Sequence, residues 1–166
     1  MIKRINNFLS EDIIIQIQNI IKENIDSPNW KTSMFWQEPI KKSSSVVSIF
    51  DLGNYISIKE IILKHYEPHV DLKIFKDFYL LYYIWPPLSY IPFHFDEYSK
   101  IASTIYLNKN WDKDHGGLFM CKKDNDYLAI TPKYNHCIIN SSDEIHGTTL
   151  TTTDSPKRET LQIFFS

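Results

Sequence analysis

Residues 78–96 read Phe78-Tyr-Leu-Leu-Tyr-Tyr-Ile-Trp85, then Pro86-Pro-Leu-Ser-Tyr90, then Ile91-Pro-Phe-His-Phe-Asp96. The first run is aromatic and aliphatic, has the length of a strand, and stops at Pro86-Pro87, which no central strand accommodates. The last run is a second strand candidate carrying His94 and Asp96 two positions apart. Alternate side chains of a strand share a face, so this spacing lets both groups converge on one point while Phe95 turns away.

The same texture continues downstream. Ile101 to Asn108, Gly117 to Lys122, Tyr127 to Ile130, Cys137 to Asn140 and Glu159 to Phe165 are further strand candidates, short, evenly spaced and separated by polar turns. Such spacing predicts an antiparallel sandwich or jelly roll. Upstream the period changes. Ser10 is placed to cap a helix with Glu11 and Asp12 in its first turn and Ile13, Ile17, Ile20 and Ile21 on one face, closed by the loop Asp26-Ser-Pro-Asn29. Trp30 to Ser45 has no period and reads as a long loop or irregular strand, a candidate lid. A capping box, Ser57-Ile-Lys-Glu60, predicts a second helix with Ile58, Ile61 and Ile62 on one face, ending before Pro68. The expected fold is mainly β with N-terminal helices (α+β). Residues 1–166 form a single domain, with an N-terminal helical layer at 1–75 supporting a jelly-roll core at 76–166.

A chain of 166 residues encloses a core without structural metal or disulfides, so a metal here would serve function. Apolar residues make up 43 % and net charge is only -2, with no basic stripe, which argues against a nucleic-acid partner. The N-terminus lacks the apolar core of a signal peptide and no run is long enough to span a bilayer, so the expectation is a cytoplasmic protein with no membrane partner. Cys121 and Cys137 lie in no metal or redox spacing and read as free core thiols.

His-x-acid is the economical way to place two ligands of a two-His, one-carboxylate iron site, which leaves three coordination positions open. Alone the motif is weak: six histidines and twenty acidic residues give roughly 0.7 such matches by chance. Three occur, His65-Tyr-Glu67, His69-Val-Asp71 and His94-Phe-Asp96; the first two flank Pro68 at a helix end, where strand geometry is doubtful.

The residues beyond His94 separate the three. Downstream stand Thr104-Ile-Tyr-Leu-Asn-Lys-Asn-Trp-Asp112, His115-Gly-Gly-Leu118, Thr131-Pro-Lys133, Ile145-His-Gly147 and Arg158-Glu-Thr160. Their order and separations resemble the prolyl 4-hydroxylase-like branch of the 2-oxoglutarate/Fe(II)-dependent dioxygenase superfamily, over about residues 78 to 166. The resemblance implies a double-stranded β-helix (a jelly-roll, cupin-like barrel) and an enzyme using Fe(II), 2-oxoglutarate and O2. It implies His94, Asp96 and His146 as metal ligands, with no catalytic group beyond them. Arg158 would bind the far carboxylate of 2-oxoglutarate, its planar fork matching that group. This chain has only two arginines against sixteen lysines, so an Arg at that position is informative. Thr160 on the same strand face and Tyr106 would assist.

Tyr83 resembles a further family tyrosine near the co-substrate. The family's turn after it carries Gly, whereas Ile84 to Phe93 has none and is somewhat longer, so Tyr82 and Tyr90 are rivals. The implied reaction is hydroxylation of a substrate carbon with succinate and CO2 as co-products; Asp96 stands where halogenating relatives have a small residue. The expected substrate is a prolyl residue in a peptide or protein, with Trp85, Tyr90 and Tyr98 as substrate contacts. A free amino acid or other small molecule is the alternative. From another class, the barrel could be a cupin-like metal isomerase, a sugar-binding module or a silent binding domain. The sequence does not set the oligomeric state.

Overall fold

The computed structural model describes residues 2–36, 40–42 and 46–166. In chain order its elements are β1 (Ile2–Ile5), α1 (Glu11–Glu23), β2 (Trp30–Thr32), β3 (Ser48–Asp51), α2 (Ile56–Tyr66), β4 (Phe78–Trp85), β5 (Ile91–His94), β6 (Ile101–Tyr106), β7 (Phe119–Lys123), β8 (Asp126–Ile130), β9 (Cys137–Ser141), β10 (His146–Thr148) and β11 (Arg158–Phe165). They form two antiparallel sheets: a seven-stranded one, ordered β1-β9-β6-β11-β4-β3-β2, and a four-stranded one, ordered β5-β10-β7-β8. This is the jelly roll expected from the strand spacing.

β4 and β11 pair along their full lengths, from Arg158 opposite Trp85 to Phe165 opposite Phe78. Their alternation divides the large sheet into two faces. Leu80, Tyr82, Leu161, Ile163 and Phe165 point outward and join Ile13, Ile14, Ile17 and Ile21 of α1 and Ile58, Ile62 and Tyr66 of α2 in one apolar core. The four buried isoleucines of α1 are each worth roughly 1.5–3 kcal/mol of burial, which fixes the helical layer to the sheet. The intervening residues, Tyr79, Leu81, Tyr83, Trp85, Arg158, Thr160, Gln162 and Phe164, face the space between the sheets.

Several local expectations change. Ser10 takes the N-cap position with extended backbone, but its side chain makes no cap hydrogen bond; its carbonyl accepts from Ile13 and Ile14 instead. α2 begins at Ile56 with Tyr55 at its N-cap, so Ser57 lies inside the helix and the Ser57–Glu60 capping box does not form. The first 75 residues hold more than helices: β1 pairs with β9, and β2 and β3 extend the large sheet beside β4. Within Trp30 to Ser45 there are β2 and short 3-10 turns at Ser33–Phe35 and Ile40–Lys42; residues 37–39 and 43–45 of the candidate lid lie outside the described residues. β5 ends at His94, so Asp96 falls in the turn beyond it and not on the strand. Among the described residues, no helix is long and apolar enough to cross a membrane.

Candidate metal centre and anion pocket

His94 and His146 stand directly opposite one another on β5 and β10 of the small sheet. Cross-strand partners project to the same face, and the two rings lie 4.4 Å apart between centroids. Gly147 permits this close pairing, because a Cβ there would sit 2.8 Å from the carbonyl oxygen of Ile91. Phe119 of β7 stacks on His146, with centroids 5.3 Å apart and an interplanar angle of 16°. Each imidazole is oriented by its own strand: His94 Nδ1 donates to the carbonyl of Pro92 and His146 Nδ1 to that of Glu144, both at 2.9 Å. That fixes the tautomer, so both Nε2 lone pairs point into the space between the sheets.

Asp96 completes the group. The turn that holds it is closed by the Ser99 amide donating to the Asp96 carbonyl at 3.1 Å. Its Oδ1 lies 3.6 Å from His94 Nε2 and its Oδ2 3.4 Å from His146 Nε2. These separations are long for hydrogen bonds. They suit donors sharing an ion, since groups about 2.0–2.2 Å from one metal stand roughly 3–3.5 Å apart. Among the described residues this is the one group of three His, Cys, Asp or Glu side chains so clustered; His65-Tyr-Glu67 and His69-Val-Asp71 form none. Burial pushes the Asp96 carboxyl up, but His94, His146 and Asn140 together outweigh it and hold it below the usual carboxylate range. Burial holds the His146 imidazole below its ordinary value despite Asp96, favouring the neutral form a ligand must have.

Across the chamber, the register of the large sheet lines up a second group. Thr160 on β11 stands opposite Tyr83 on one side and Tyr106 on the other, and Arg158 opposite Trp85. Arg158 is 2 % exposed. Its Nη1 donates to the Gly117 carbonyl at 2.9 Å, its guanidinium lies over the Trp85 ring at 4.9 Å, and its Nε has no partner. No acidic side chain among the described residues pairs with it. An uncompensated buried charge costs several kcal/mol, on the order of the penalty for a broken buried ion pair, which makes this pocket a candidate site for an anion. Thr160 Oγ1 accepts from Trp85 Nε1 at 3.0 Å and from Gln162 Nε2 at 3.2 Å, which leaves its own O–H to donate. Burial, partly offset by Arg158, pushes the Tyr106 phenol up to about 12, so it is a donor at neutral pH. Tyr83 is likewise raised by burial and by Asp96.

Both groups line one chamber of about 790 Å³ between the sheets. Of the three rival tyrosines, Tyr83 faces it. Tyr82 points into the helix-covered core and donates to Glu159 Oε2 at 2.6 Å, while Tyr90 does not line the chamber. Of the expected substrate contacts, Trp85 lines the chamber beneath Arg158 and is 2 % exposed, whereas Tyr90 does not line it. Tyr98, 83 % exposed, also lines the chamber, as do the exposed Phe95 and Tyr79. Asn140, Gln162 and Thr104 also line the chamber and went unnoticed in the sequence. Gln162 could have been found there, since it continues the Arg158–Thr160 face two residues on.

The sequence model of the 2OG-Fe(II) oxygenase superfamily matches residues 61–166. Among solved structures, the fold is similar to a Pseudomonas putida prolyl-4-hydroxylase (16 % identity, TM-score 0.72, covering 99 % of this chain and 91 % of that one). It is also similar to a prolyl hydroxylase in complex with a hypoxia inducible factor oxygen degradation domain peptide fragment from Trichoplax adhaerens (16 %, 0.74, 99 % and 82 %). A third is a viral collagen prolyl hydroxylase from Paramecium Bursaria Chlorella virus-1, in a 2OG complex (13 %, 0.66, 99 % and 94 %). At these identities the likeness establishes the shared double-stranded β-helix fold. No curated protein matches the chain in sequence.

Proposed function

Because the chain belongs to the 2OG-Fe(II) oxygenase superfamily, we propose that His94, Asp96 and His146 hold its ferrous iron, that Arg158, Thr160, Tyr106 and Tyr83 anchor its 2-oxoglutarate, and that it hydroxylates a prolyl residue in a peptide or protein. As a family member it is a dioxygenase working with Fe(II), 2-oxoglutarate and O2. The observation that carries the residue assignment is the presence, in one chamber, of a clustered His-Asp-His group and a buried guanidinium without an anionic partner.

The donor set fits ferrous iron: two neutral imidazoles and one carboxylate. The anion pocket fits the co-substrate's far carboxylate, for which Arg158 supplies the charge and Thr160 and Tyr106 supply donors. Iron, 2-oxoglutarate and oxygen together supply oxidative decarboxylation to succinate and CO2, and with it the oxidising power to hydroxylate a C–H bond. The protein's part is to bind, orient and exclude water. The Pro92 and Glu144 carbonyls hold the two imidazoles in aim, Trp85 covers one face of the Arg158 guanidinium, and Phe119 shields His146.

For the substrate, support comes from the aromatic mouth and from the relatives' chemistry. Tyr79, Phe95 and Tyr98 are exposed at the chamber entrance and offer flat apolar faces to an extended peptide. The three solved relatives are prolyl hydroxylases, and one was solved with a peptide fragment bound. The test is incubation of proline-containing peptides and, separately, free proline with enzyme, Fe(II), 2-oxoglutarate and ascorbate, followed by mass spectrometry. Gain of one oxygen on a prolyl residue is expected. Hydroxylation of free proline alone, or of no proline at all while another small molecule is oxidised, would overturn the peptide assignment.

A further inference from the structure

β9 runs Cys137, Ile138, Ile139, Asn140, and the first three side chains are completely buried. Asn140 is almost as deep, 2 % exposed, yet it carries an amide that costs stability unless it is hydrogen-bonded. Its Nδ2 donates to Asp96 Oδ2 at 3.2 Å. A carboxylate can only accept, so the partner fixes which way the amide points.

The bond does something the strands do not. His94 and His146 belong to a hydrogen-bonded pair of strands, and each ring is also held by a backbone carbonyl two residues before it. Asp96 lies past the end of β5 and has no ladder partner. Its carboxylate is tied instead to β9, a strand of the opposite sheet. Each of the three clustered side chains thus has one outer partner: Pro92, Glu144 and Asn140.

We propose that Asn140 is a positioning residue for the metal-binding carboxylate, bridging the two sheets and fixing the orientation of the Asp96 carboxylate through Oδ2. This rests on the proposed iron site. The restraint has a chemical purpose, because Asp96 lies beyond the end of β5 and no strand ladder would otherwise hold its carboxylate toward the two imidazoles.

The test uses the full chain with Asn140→Leu, which keeps the branched skeleton and removes the donor, and Asn140→Ser, which is too short to reach Asp96 and decides the matter if the bulkier leucine variant does not fold. Fe(II) is titrated anaerobically into metal-free protein by calorimetry, the visible band is recorded after 2-oxoglutarate is added, and thermal melting of the metal-free proteins is measured. The expected result is Fe(II) binding weaker by roughly 10- to 100-fold, the usual loss for an outer partner of a ligand. A diminished or shifted 2-oxoglutarate band and near wild-type melting of the metal-free protein should accompany it. Wild-type Fe(II) affinity and an unchanged band in a folded variant would overturn the role of Asn140 and leave the iron site standing. Failure of the wild-type protein itself to bind Fe(II) would overturn the iron site, and the role of Asn140 with it.

Discussion

At Gly117 the backbone sits at φ +66°, and a Cβ there would come within 2.5 Å of Arg158 Nη1 and 2.9 Å of Thr151 Cγ2. The glycine makes room for the guanidinium, and its carbonyl is the group that guanidinium holds. Gly117→Ala should lower stability by about 1–3 kcal/mol, the cost of a strained positive φ, and weaken 2-oxoglutarate at least severalfold, as read by thermal melting and by KM. Arg158→Met gives a result of opposite sign in stability. Its guanidinium lacks an anionic partner among the described residues, so removing a buried uncompensated charge while keeping the stem should leave the metal-free protein as stable or more so. Affinity for 2-oxoglutarate should fall by the roughly 2–5 kcal/mol typical of a truncated buried charge pair, a loss that Arg158→Lys only partly restores. Arg158 was legible in the sequence because it is a rare Arg among many Lys. The place of Trp85 under Arg158 was not, since it is set by the β4–β11 register, which no local pattern specifies. Asn140 was missed for the same reason: its partner lies in another sheet.

Elements were most legible where periodicity is local. Phe78–Trp85 forms a strand over the run its composition predicts, and α1 buries Ile13, Ile17 and Ile21 of the expected face together with Ile14, with Ile20 half-buried. Helix starts were less so. Ser57-Ile-Lys-Glu60 has the form of a capping box, but α2 begins one residue earlier and Ser57 is an exposed residue within it. Ser57→Ala should therefore change stability by no more than about 0.5 kcal/mol in urea unfolding, where loss of a working N-cap would cost about 1 kcal/mol. β1 and β3 escaped notice, and β2 was legible only as part of a loop or irregular strand, because strands of three or four residues carry too few side chains to show a period and their identity rests on pairing with β9, β4 and one another. The displacement of Asp96 into a turn has the same origin: two-residue spacing suggested a strand, and the chain turns just after His94.

For the whole molecule, the decisive feature is that the two sheets contribute different halves of one site. The small sheet presents the His94–His146 pair and the large sheet presents Arg158, Thr160, Tyr106 and Tyr83, so the chamber exists only when both are packed together. The motif order in the sequence pointed to this assembly, although no residue of it states the distance between the halves. On the proposed assignment, one molecule of 2-oxoglutarate would reach from the metal to Arg158 within this chamber. The most direct test is anaerobic addition of Fe(II) and 2-oxoglutarate to the metal-free protein while recording the visible charge-transfer band of the chelated complex. The band should appear at one equivalent of iron, vanish in His146→Ala, and need far more 2-oxoglutarate in Arg158→Met. A wild-type protein without the band, or a His146→Ala protein with it undiminished, would contradict the assignment.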